Sequence, residues 1–560
     1  MLNVKDLTIA FGNNTVVQEF NLSISTGQSL GVVGESGSGK SVTALALMGL
    51  LPTNARVISG NAIYNAREGK GIDLLKLSQD EHRKVRGKHV AMVFQEPMTA
   101  LNPSMRCGRQ VEESIRLHQR VSRLQVKGIC LSLLREMQLP NPEKVHKSYP
   151  HQLSGGQKQR VVIAIALAGN PSILIADEPT TALDVTVQRE ILALIKRIQQ
   201  KRNMSLLFIS HDLGVISEIT GNILVMKDGT VVEKGTTQNI LKNPQHPYTK
   251  GLVACRPPLH SRPWKLPTIN DFQDKPEDFK LITSKEWEAT NNKIYSHAPI
   301  IEVQRIDVEY DIRRNFLGKS TEIFNAVKGM DFNLYKGETL GLVGESGCGK
   351  TTLGRAIMGL VGYSKGHITY MGSEVSKKKK PNIRRFRREV QFIFQDPFSS
   401  LNPRHTIGEA ILEPLMFHQI VKGLETGRQR VKELLNLVAL PADCYYRYPH
   451  EFSGGQRQRV AIARALALDP KVLVCDEIVS ALDVSVQAQI LNLLNKLKRE
   501  LYLTYIFISH DLSVVRYMSN RMLVMRNGMK VEYGDSDTMF FNPKTEYSKK
   551  LINSVPRANT

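Results

Sequence analysis

The sequence predicts an α/β protein with two copies of one domain, each built on a mainly parallel sheet. The first observation is a repeated decapeptide, GVVGESGSGK at residues 31–40 and GLVGESGCGK at 341–350. The second is its context, since residues 30–33 have the apolar character of a buried parallel strand and residues 41–51 that of a helix. The third is a set of later motifs that recur in the same order. Self-similarity of this kind indicates a duplicated domain.

The later motifs keep their spacing in both copies. Ser154 precedes Asp177 by 23 residues, as Ser453 precedes Asp476, and in both copies a histidine follows the aspartate by 34 residues. Spacing held this closely predicts the same fold twice. We place the first domain at residues 1–255 and the second at 300–560.

The segment 256–299 is predicted to be an interdomain linker, because it is polar, shows no sustained apolar periodicity and is interrupted by prolines. These prolines are Pro257, Pro258, Pro263, Pro267 and Pro276. A basic run at residues 377–388 lies inside the second domain. A solvated basic loop is the favoured interpretation, with attraction to phosphate or lipid as the alternative.

Composition limits the class of protein. With 560 residues and 41% hydrophobic content, the chain can form several globular cores. No apolar run approaches the roughly 18 residues that span a bilayer, and the N-terminus lacks a targeting pattern, so we expect any membrane role to be peripheral. The net charge of +22 favours an anionic partner, for which an inner leaflet, a nucleotide and a nucleic acid all qualify. The six cysteines form no C-x-x-C pair and are typical of a reducing compartment: Cys107, Cys130, Cys255, Cys348, Cys444 and Cys475.

Two glycine-rich segments are predicted to bind phosphate. Each matches G-x-x-x-x-G-K-[ST] between a strand and a helix, where backbone N–H groups and the helix N-terminus attract phosphate oxygens. Lys40 and Lys350 would reach the β- and γ-phosphates, while Ser41 and Thr351 would ligate Mg²⁺. The full sets are Gly34, Glu35, Ser36, Gly37, Ser38, Gly39, Lys40 and Ser41, and Gly344, Glu345, Ser346, Gly347, Cys348, Gly349, Lys350 and Thr351. A ligand-free glycine turn is the alternative, and two matches in the same context argue against it.

Paired carboxylates follow a second buried strand in each copy. Asp177 and Glu178 end the apolar run 173–176, and Asp476 and Glu477 end the run 472–475. The aspartates are predicted to hold Mg²⁺ and the glutamates to polarise an attacking water, because ligands bind at the carboxyl ends of such strands. An ordinary turn after a strand is the alternative.

The segments LSGGQ at 153–157 and FSGGQ at 452–456 resemble the signature of the ABC ATPase family. The resemblance covers nearly all of both copies. It implies two P-loop NTPase cassettes, each with an antiparallel β part and a helical signature subdomain beside the parallel core, and ATP with Mg²⁺ as the ligands. The signature residues are Ser154, Gly155, Gly156 and Gln157, and Ser453, Gly454, Gly455 and Gln456.

The resemblance also implies that each signature completes the ATP site of the opposite cassette, Lys40 with Ser453 and Lys350 with Ser154. Further positions match residue by residue. Gln95 and Gln395 resemble the Q-loop residues that touch Mg²⁺, and His211 and His510 resemble the switch histidines that bind the γ-phosphate. The D-loop matches are Ala182, Leu183 and Asp184, and Ala481, Leu482 and Asp483.

The family also places an aromatic ring on adenine ahead of each phosphate loop. Phe11 is the match in cassette one. In cassette two the alignment points to Tyr310, but about ten extra residues follow it, so Phe316 and Phe324 compete. Core packing is the alternative for all four side chains.

One departure distinguishes the two cassettes. Ile478 and Val479 stand where cassette one has Pro179 and Thr180. Because the acids and the following motif remain, we expect a tuned rather than an inactive second site.

The tails NPQHPYT at 243–249 and NPKTEY at 542–547 resemble those of oligopeptide, dipeptide and nickel importer ATPases. The resemblance implies an ATPase that drives uptake of peptides or peptide-like substrates, with two permease subunits and an extracytoplasmic solute-binding protein as partners. It also implies a peripheral position on the cytoplasmic face of a bacterial inner membrane. The rival from another class is a soluble tandem ABC factor acting on ribosomes or nucleic acid. The proline-broken linker and the tails favour transport.

Overall fold

The computed structural model describes residues 1–65, 71–95, 100–181, 183–272, 279–314, 320–375, 380–397 and 400–555. By internal contacts the chain forms two compact units. The first holds Met1–Val253 with residues 269–272, and the second holds Ala254–Thr268 with residues 279–555. Both units have the same architecture, so the predicted pair of α/β cassettes is confirmed.

The core of cassette one is a six-stranded sheet in the order β10-β9-β3-β8-β7-β6. All neighbouring pairs are parallel except β9 and β10. Its strands are β3 (Ser29–Val33), β6 (Val90–Val93), β7 (Ile173–Asp177), β8 (Ser205–Ser210), β9 (Asn222–Lys227) and β10 (Thr230–Thr236). β7 and β8 are buried along their whole length, which explains their continuous apolar runs. The predicted strands before the phosphate loop and the acid pair are both present.

A second, antiparallel sheet has the order β2-β1-β4-β5. Its strands are β1 (Leu2–Phe11), β2 (Asn14–Ile24), β4 (Ala55–Tyr64) and β5 (Ile72–Asp73). One hydrophobic cluster joins this sheet to the parallel sheet through side chains such as Leu7, Phe20 and Val32. The antiparallel part that the resemblance implied is therefore present.

The helices of cassette one cover the parallel sheet and form a separate helical region between β6 and β7. They are Lys40–Leu47, Gln79–Val85, Cys107–His118, Arg123–Glu136, Pro142–Lys147, Gly155–Leu167, Val185–Arg202, Leu213–Ile219, Thr237–Lys242 and Pro247–Ala254, with short 3-10 turns at Leu74–Lys76 and Pro150–Gln152. The helical region contains the signature motif, as the resemblance implied.

Cassette two repeats this plan with sheet orders β16-β17-β18-β13-β19-β20 and β12-β11-β14-β15. Its strands are β11 (Pro299–Arg314), β12 (Ser320–Tyr335), β13 (Thr339–Val343), β14 (Lys365–Tyr370), β15 (Ser373–Glu374), β16 (Val390–Ile393), β17 (Val472–Asp476), β18 (Thr504–Ile508), β19 (Arg521–Arg526) and β20 (Met529–Asp535). Its helices are Lys350–Ile357, Lys380–Glu389, Ile407–Phe417, Leu424–Leu437, Gly454–Leu466, Val484–Glu500, Leu512–Met518, Ser536–Phe541 and Glu546–Asn553, with 3-10 turns at Ala442–Tyr446 and Pro449–Glu451.

The segment predicted as a linker carries more structure than its composition indicates. It contains a 3-10 turn at Ile269–Phe272 and a twelve-residue helix, Ser284–Tyr295. Thr283 and Glu286 form a capping box at the start of that helix, which stabilises it although only Asn291 is buried. A mostly exposed helix needs no apolar stripe, so apolar periodicity could not reveal it.

The first part of the same segment packs against cassette two. Arg262 is 5% exposed, pairs with Asp537 at 3.0 Å and donates a hydrogen bond to the Tyr517 carbonyl at 3.2 Å. Leu266 and Asn492 exchange two hydrogen bonds of 2.8 Å. Residues 254–268 thus belong structurally to the second unit, whereas the boundaries 1–255 and 300–560 remain predictions.

The basic run differs from its prediction as a loop. Residues 380–388 lie in the helix Lys380–Glu389, while residues 377–379 lie outside the described residues. Phe386 is 1% exposed and Arg384, Arg387 and Arg388 are exposed. The described part of the run is thus a helix that buries the Phe386 ring and leaves Arg384, Arg387 and Arg388 exposed.

Across the residues that the structure describes, no helix combines the length and apolarity needed to cross a membrane.

Candidate ATP-binding and hydrolysis sites

The phosphate loop of cassette one lies between β3 and the helix Lys40–Leu47, as its sequence predicts. Gly39 precedes the helix with φ of 95°, a conformation that favours glycine. A Cβ on Gly34 would lie 2.2 Å from the Met226 carbonyl oxygen, so no larger residue fits beneath the loop. Cassette two repeats the arrangement, with φ of 104° at Gly349. The chain therefore builds two narrow backbone cradles of the kind that bind phosphate.

The lysine of each loop is buried and folded back over it. Lys40 Nζ donates to the carbonyl oxygens of Gly34 at 2.8 Å and Glu35 at 2.6 Å. Lys350 Nζ makes the same contacts with Gly344 at 2.8 Å and Glu345 at 3.0 Å. An ammonium held at the phosphate loop by two backbone carbonyl oxygens is placed to reach the β- and γ-phosphates of a nucleotide.

A hydroxyl and a carboxylate meet at the start of each phosphate-loop helix. Ser41 Oγ donates to Asp177 Oδ1 at 3.0 Å, and Thr351 Oγ1 donates to Asp476 Oδ1 at 2.9 Å. Burial raises the pKa of Asp177 to about 6 and also raises the pKa of Asp476. These oxygen donors are the ligand type that Mg²⁺ prefers, and a bound cation would stabilise the buried carboxylates in their charged form.

The glutamate after each aspartate is the centre of a second cluster. Glu178 Oε2 lies 3.2 Å from Gln95 Nε2, 3.0 Å from His211 Nδ1 and 2.9 Å from Thr181 Oγ1. Burial works to raise the pKa of Glu178, but the hydrogen bond and charge of His211 outweigh it with smaller help from Thr181 and Lys40, so the pKa lies below its ordinary value. The carboxylate is held charged and oriented.

Cassette two builds the same cluster. Glu477 Oε2 lies 2.8 Å from Gln395 Nε2 and 3.5 Å from His510 Nδ1. The pKa of Glu477 is lowered against the effect of burial, and that of His510 is raised in spite of its burial, because each group stabilises the charged form of the other. Both glutamates have positive φ, 45° at Glu178 and 48° at Glu477.

The two clusters differ where the sequences differ. In cassette one Thr180 Oγ1 accepts a hydrogen bond from Gln188 at 3.2 Å, and Thr181 bonds directly to the Glu178 carboxylate. In cassette two Val479 is buried without a hydroxyl, and Ser480 Oγ donates to the Glu477 backbone carbonyl instead. The Glu477 carboxylate consequently has one side-chain partner fewer than the Glu178 carboxylate among the described residues.

The Q-loop amides contact the glutamates rather than the aspartates. Gln95 and Gln395 are predicted to touch Mg²⁺, which stays a prediction, and their amide nitrogens bond to Glu178 and Glu477 in the structure. The hydroxyl and aspartate pairs are the groups that the structure brings together for a cation.

Each signature motif starts a helix. Ser154 caps Gly155–Leu167 by accepting from Gln157 N at 3.4 Å, and Ser453 caps Gly454–Leu466 by accepting from Gln456 N at 3.3 Å. A Cβ on Gly156 would lie 2.4 Å from Val187 Cγ1. Because Val187 is in the helix that Asp184 caps, the second glycine lets the signature helix pack closely on the segment after the D-loop. Ala182 lies outside the described residues.

Sequence reasoning missed a tyrosine that supports each phosphate loop. The Glu35 N–H donates to Tyr248 Oη at 3.0 Å, and the Glu345 N–H donates to Tyr547 Oη at 3.3 Å. Both tyrosines belong to the tails at 243–249 and 542–547, and both are buried. Their presence at equivalent places in two otherwise different tails was the available signal.

A carboxylate anchors each tail beside its tyrosine. Glu233 accepts from the backbone of Gln245 at 2.8 Å and His246 at 3.0 Å. Glu532 accepts from the backbone of Lys544 at 3.0 Å and Thr545 at 3.3 Å. The tails are thus parts of the two sites, not appendages.

Comparison with known families agrees with this geometry. The model described as ABC transporter matches residues 17–181 and 327–480, which is more than half of the chain. The chain belongs to the ABC transporter family. It is an ATP-binding cassette protein with two fused cassettes, and its chemistry is ATP hydrolysis coupled to transport. A second model, described as the C-terminal region of oligopeptide/dipeptide transporters, matches residues 232–280 and 531–560, which include both tail tyrosines.

Relatives match this ABC protein along its whole length. Glutathione import ATP-binding protein GsiA of Pectobacterium atrosepticum is 46% identical over 569 residues, covering 100% of this chain and 90% of the relative. The GsiA proteins of Salmonella choleraesuis and Escherichia coli O157:H7 are each 45% identical, with the same coverage. These relatives are named as ATP-binding proteins of glutathione import, and they do not favour the ribosomal or nucleic-acid alternative.

The aromatic candidates for adenine stacking lie in the antiparallel sheets of the two ABC cassettes. Phe11 ends β1 opposite Asn14, and Tyr310 lies opposite Phe324 in the equivalent register of β11 and β12. Tyr310 is 41% and Phe324 51% exposed, so core packing does not account for either. The register makes Tyr310 the counterpart of Phe11, and Phe316 lies outside the described residues.

Proposed function

We propose that this ABC protein hydrolyses ATP at both cassettes to drive import of small peptides or peptide-like molecules, with glutathione as the leading candidate. The observation that carries the proposal is the doubled glutamate cluster, in which Glu178 and Glu477 each contact a Q-loop glutamine and a switch histidine. The substrate class rests on relatives named for glutathione import and on the peptide-transporter tail regions.

The proposed roles follow from the contacts. Glu178 and Glu477 orient the attacking water, since hydrolysis of a γ-phosphate depends on positioning more than on a strong base. His211 and His510 hold those carboxylates charged until the γ-phosphate arrives, and then bind it. Lys40 and Lys350 bind the β- and γ-phosphates.

Magnesium would be held by Ser41 with Asp177 and by Thr351 with Asp476. The close hydroxyl and carboxylate pairs, at 3.0 Å and 2.9 Å, support this assignment. When bound, the ion neutralises charge on the phosphate oxygens. Gln95 and Gln395 act in this proposal as sensors beside the glutamates that turn toward the cation when nucleotide is present.

Cassette two is proposed to be active in spite of Ile478 and Val479. Both side chains are at most 2% exposed and fill apolar space, while Glu477 keeps its contacts with Gln395 and His510. The missing hydroxyl bond to the Glu477 carboxylate changes how firmly that carboxylate is held. The glutamate, the glutamine and the histidine are all retained. We therefore propose a slower or differently tuned second site.

The proposed setting is the cytoplasmic face of a bacterial inner membrane, with an extracytoplasmic solute-binding protein delivering the substrate to the permeases. A net charge of +22 supports residence near an anionic leaflet. Substrate specificity is assigned to those partners.

The test uses proteoliposomes that contain this chain, its permeases and its binding protein. Glu178→Gln and Glu477→Gln are each expected to lower transport-coupled ATP turnover at least tenfold, because each removes the charged group that orients water. Glu288→Gln, at an exposed position of the helix Ser284–Tyr295, is the matched control and should leave turnover unchanged. Unchanged turnover in either active-site variant refutes the claim of two hydrolysing sites.

Substrate class is tested in the same vesicles. Accumulation of labelled glutathione should require ATP and the binding protein, and a di- or tripeptide without a thiol serves as the comparison. Uptake of nickel without uptake of either peptide would contradict the proposed substrate class.

A further inference from the structure

Three metal-ligating side chains from different helices converge in the helical region of cassette one. They are Glu112 in Cys107–His118, Cys130 in Arg123–Glu136 and His146 in Pro142–Lys147. One ligand atom from each lies within 4.8 Å of the others. A cysteine thiolate, an imidazole and a carboxylate are each ligand types that Zn²⁺ accepts.

The three groups are packed together without being sealed from solvent. His146 Nε2 lies 2.8 Å from Glu112 Oε1, and the other Glu112 oxygen accepts from Arg116 at 3.3 Å. The His146 and Glu112 side chains are 18% and 15% exposed, whereas Cys130 is fully buried. A metal ion could enter from the histidine side.

The thiol has only a weak partner in this setting. Cys130 Sγ donates to the Gly108 carbonyl oxygen at 3.6 Å. Burial raises the pKa of Cys130 to about 12, with a further contribution from the Glu112 carboxylate. Without a cation nearby the thiol is therefore protonated, and binding of a metal to sulfur would release that proton to solvent.

The equivalent positions of cassette two show which side chains the packing of these helices requires. Glu112 is the sixth residue of Cys107–His118, and Leu412 is the sixth residue of Ile407–Phe417. Cys130 is the eighth residue of its fourteen-residue helix, and Val431 is the eighth residue of the equivalent helix Leu424–Leu437.

The third equivalence follows from packing. A Cβ on Gly108 would lie 2.2 Å from the His146 ring, and one on Gly408 would lie 2.4 Å from the Tyr445 ring. His146 and Tyr445 thus occupy the same position against equivalent glycines.

The counterparts of the three ligands are Leu412, Val431 and Tyr445, which are 8%, 0% and 6% exposed. The same fold is thus held together at this point by two apolar side chains and a ring. Helix packing alone does not require a carboxylate, a thiol and an imidazole. The carboxylate, the thiol and the imidazole at this place in cassette one therefore indicate a function besides packing, and metal binding is the function that fits their chemistry.

We propose that Glu112, Cys130 and His146 form a Zn²⁺ site that ties together three helices of the cassette-one helical region. Each residue supplies one ligand atom, and a water molecule occupies the fourth position of a tetrahedral ion. Zinc bonds of roughly 2.0–2.3 Å require the three ligand atoms, now within 4.8 Å of one another, to adjust around the ion, and the 2.8 Å contact between His146 and Glu112 has to open. The Cys130 S–H bond breaks as the Zn–S bond forms, and the proton leaves to solvent.

The first test measures zinc stoichiometry on the purified full chain without nucleotide. The test variant is Glu112→Leu with Cys130→Val and His146→Tyr, which copies cassette two and is therefore expected to fold. After equilibration with Zn²⁺ and removal of loosely bound metal, wild type should retain one more zinc ion per chain than the variant. Circular dichroism and magnesium-dependent ATP hydrolysis, both unchanged, show that the variant is intact. Equal zinc retention in the two proteins overturns the proposal.

The second test identifies the sulfur ligand with Co²⁺ alone. Wild type should show a thiolate-to-cobalt charge-transfer band, which Cys130→Ser abolishes. Cys444→Ser, at another buried cysteine in the equivalent helical region of cassette two, is the matched control and should keep the band. Zinc should also raise the unfolding temperature of wild type but not of the triple variant, and its affinity should increase with pH because a thiol proton is released. A band that survives Cys130→Ser contradicts the proposed ligand.

Discussion

The Tyr248 hydroxyl accepts a hydrogen bond from the Glu35 backbone N–H at 3.0 Å, across 213 residues of sequence. Tyr547 does the same for Glu345 in the second cassette, at 3.3 Å. The C-terminal tail of each cassette therefore supports the loop that binds phosphate.

This contact predicts the effect of removing each hydroxyl. Tyr248→Phe and Tyr547→Phe should each weaken ATP binding about two- to tenfold, because one hydrogen bond contributes roughly 0.5–1.5 kcal/mol to the loop conformation. The dissociation constant of ATP measured by equilibrium titration tests this. Tyr502→Phe, at a side chain that is 76% exposed, is the control. If both tail variants bind ATP as tightly as that control, the tails do not support the loops.

The two signature glycines should respond differently to alanine. Gly156→Ala is expected to destabilise the protein by about 1–3 kcal/mol, because its Cβ would lie 2.4 Å from Val187 Cγ1. Gly155→Ala should be tolerated, since a Cβ on Gly155 would lie 3.4 Å from the nearest neighbouring atom, Cδ2 of Leu183. The free energy of unfolding from urea titrations measures both effects. Val187→Ala should restore stability to Gly156→Ala, and failure of that rescue would show that another contact is responsible.

The start of the linker should depend on Arg262. Arg262→Ala is expected to lower the free energy of unfolding by about 2–4 kcal/mol. The substitution leaves Asp537 without this buried ion-pair partner and two backbone carbonyl groups without the hydrogen bonds that Arg262 donates. The chain has two tryptophans, Trp264 and Trp287, and the Arg262 guanidinium lies 3.6 Å from the centre of the Trp287 ring.

Intrinsic fluorescence therefore reports directly on this part of the chain. In Arg262→Ala the emission should shift to longer wavelength at a denaturant concentration where wild type is still folded. Lys285→Ala, at an exposed position nearby, is the control. Identical fluorescence transitions for Arg262→Ala and wild type would contradict the assigned role.

A buried histidine should make cassette one sensitive to acid. Burial lowers the pKa of His82, with a smaller contribution from Arg86. As the pH falls below about 6.5, the histidine therefore takes up a proton in the unfolded chain before it does so in the folded protein. The resulting stability is present above pH 6.5 and is lost as the pH falls below it toward the folded pKa.

His82→Gln should therefore lose less stability than wild type between pH 7.5 and 5.5, as measured by urea unfolding at each pH. His297→Gln, at an exposed position, should keep the wild-type slope. Equal slopes for all three proteins would remove His82 as a source of acid sensitivity.

The features that the sequence predicts are those encoded by short contiguous segments of the chain. The phosphate loops, the strand-terminal acids and the signature helix starts each depend on local backbone geometry, and the structure forms all of them where the sequence predicted. The apolar pattern does not predict the helix Ser284–Tyr295. Its capping box stabilises the start, but its residues are mostly exposed and leave no apolar stripe. The Q-loop amides contact Glu178 and Glu477 in the structure, and their predicted contact with Mg²⁺ stays a prediction, because one rotatable side chain can reach either acid.

The sequence by itself determined the duplication, the α/β class and the two glycine-rich loops between strand and helix, because repetition and motif spacing are properties of the chain in order. Only the tertiary structure decided that Tyr248 and Tyr547 support the phosphate loops, that Arg262 ties residues 254–268 to cassette two, and that Glu112, Cys130 and His146 converge. Each of these relationships joins side chains from separate elements. Their proximity depends on which helices and strands pack against each other, and neither a local motif nor a spacing along the chain records that.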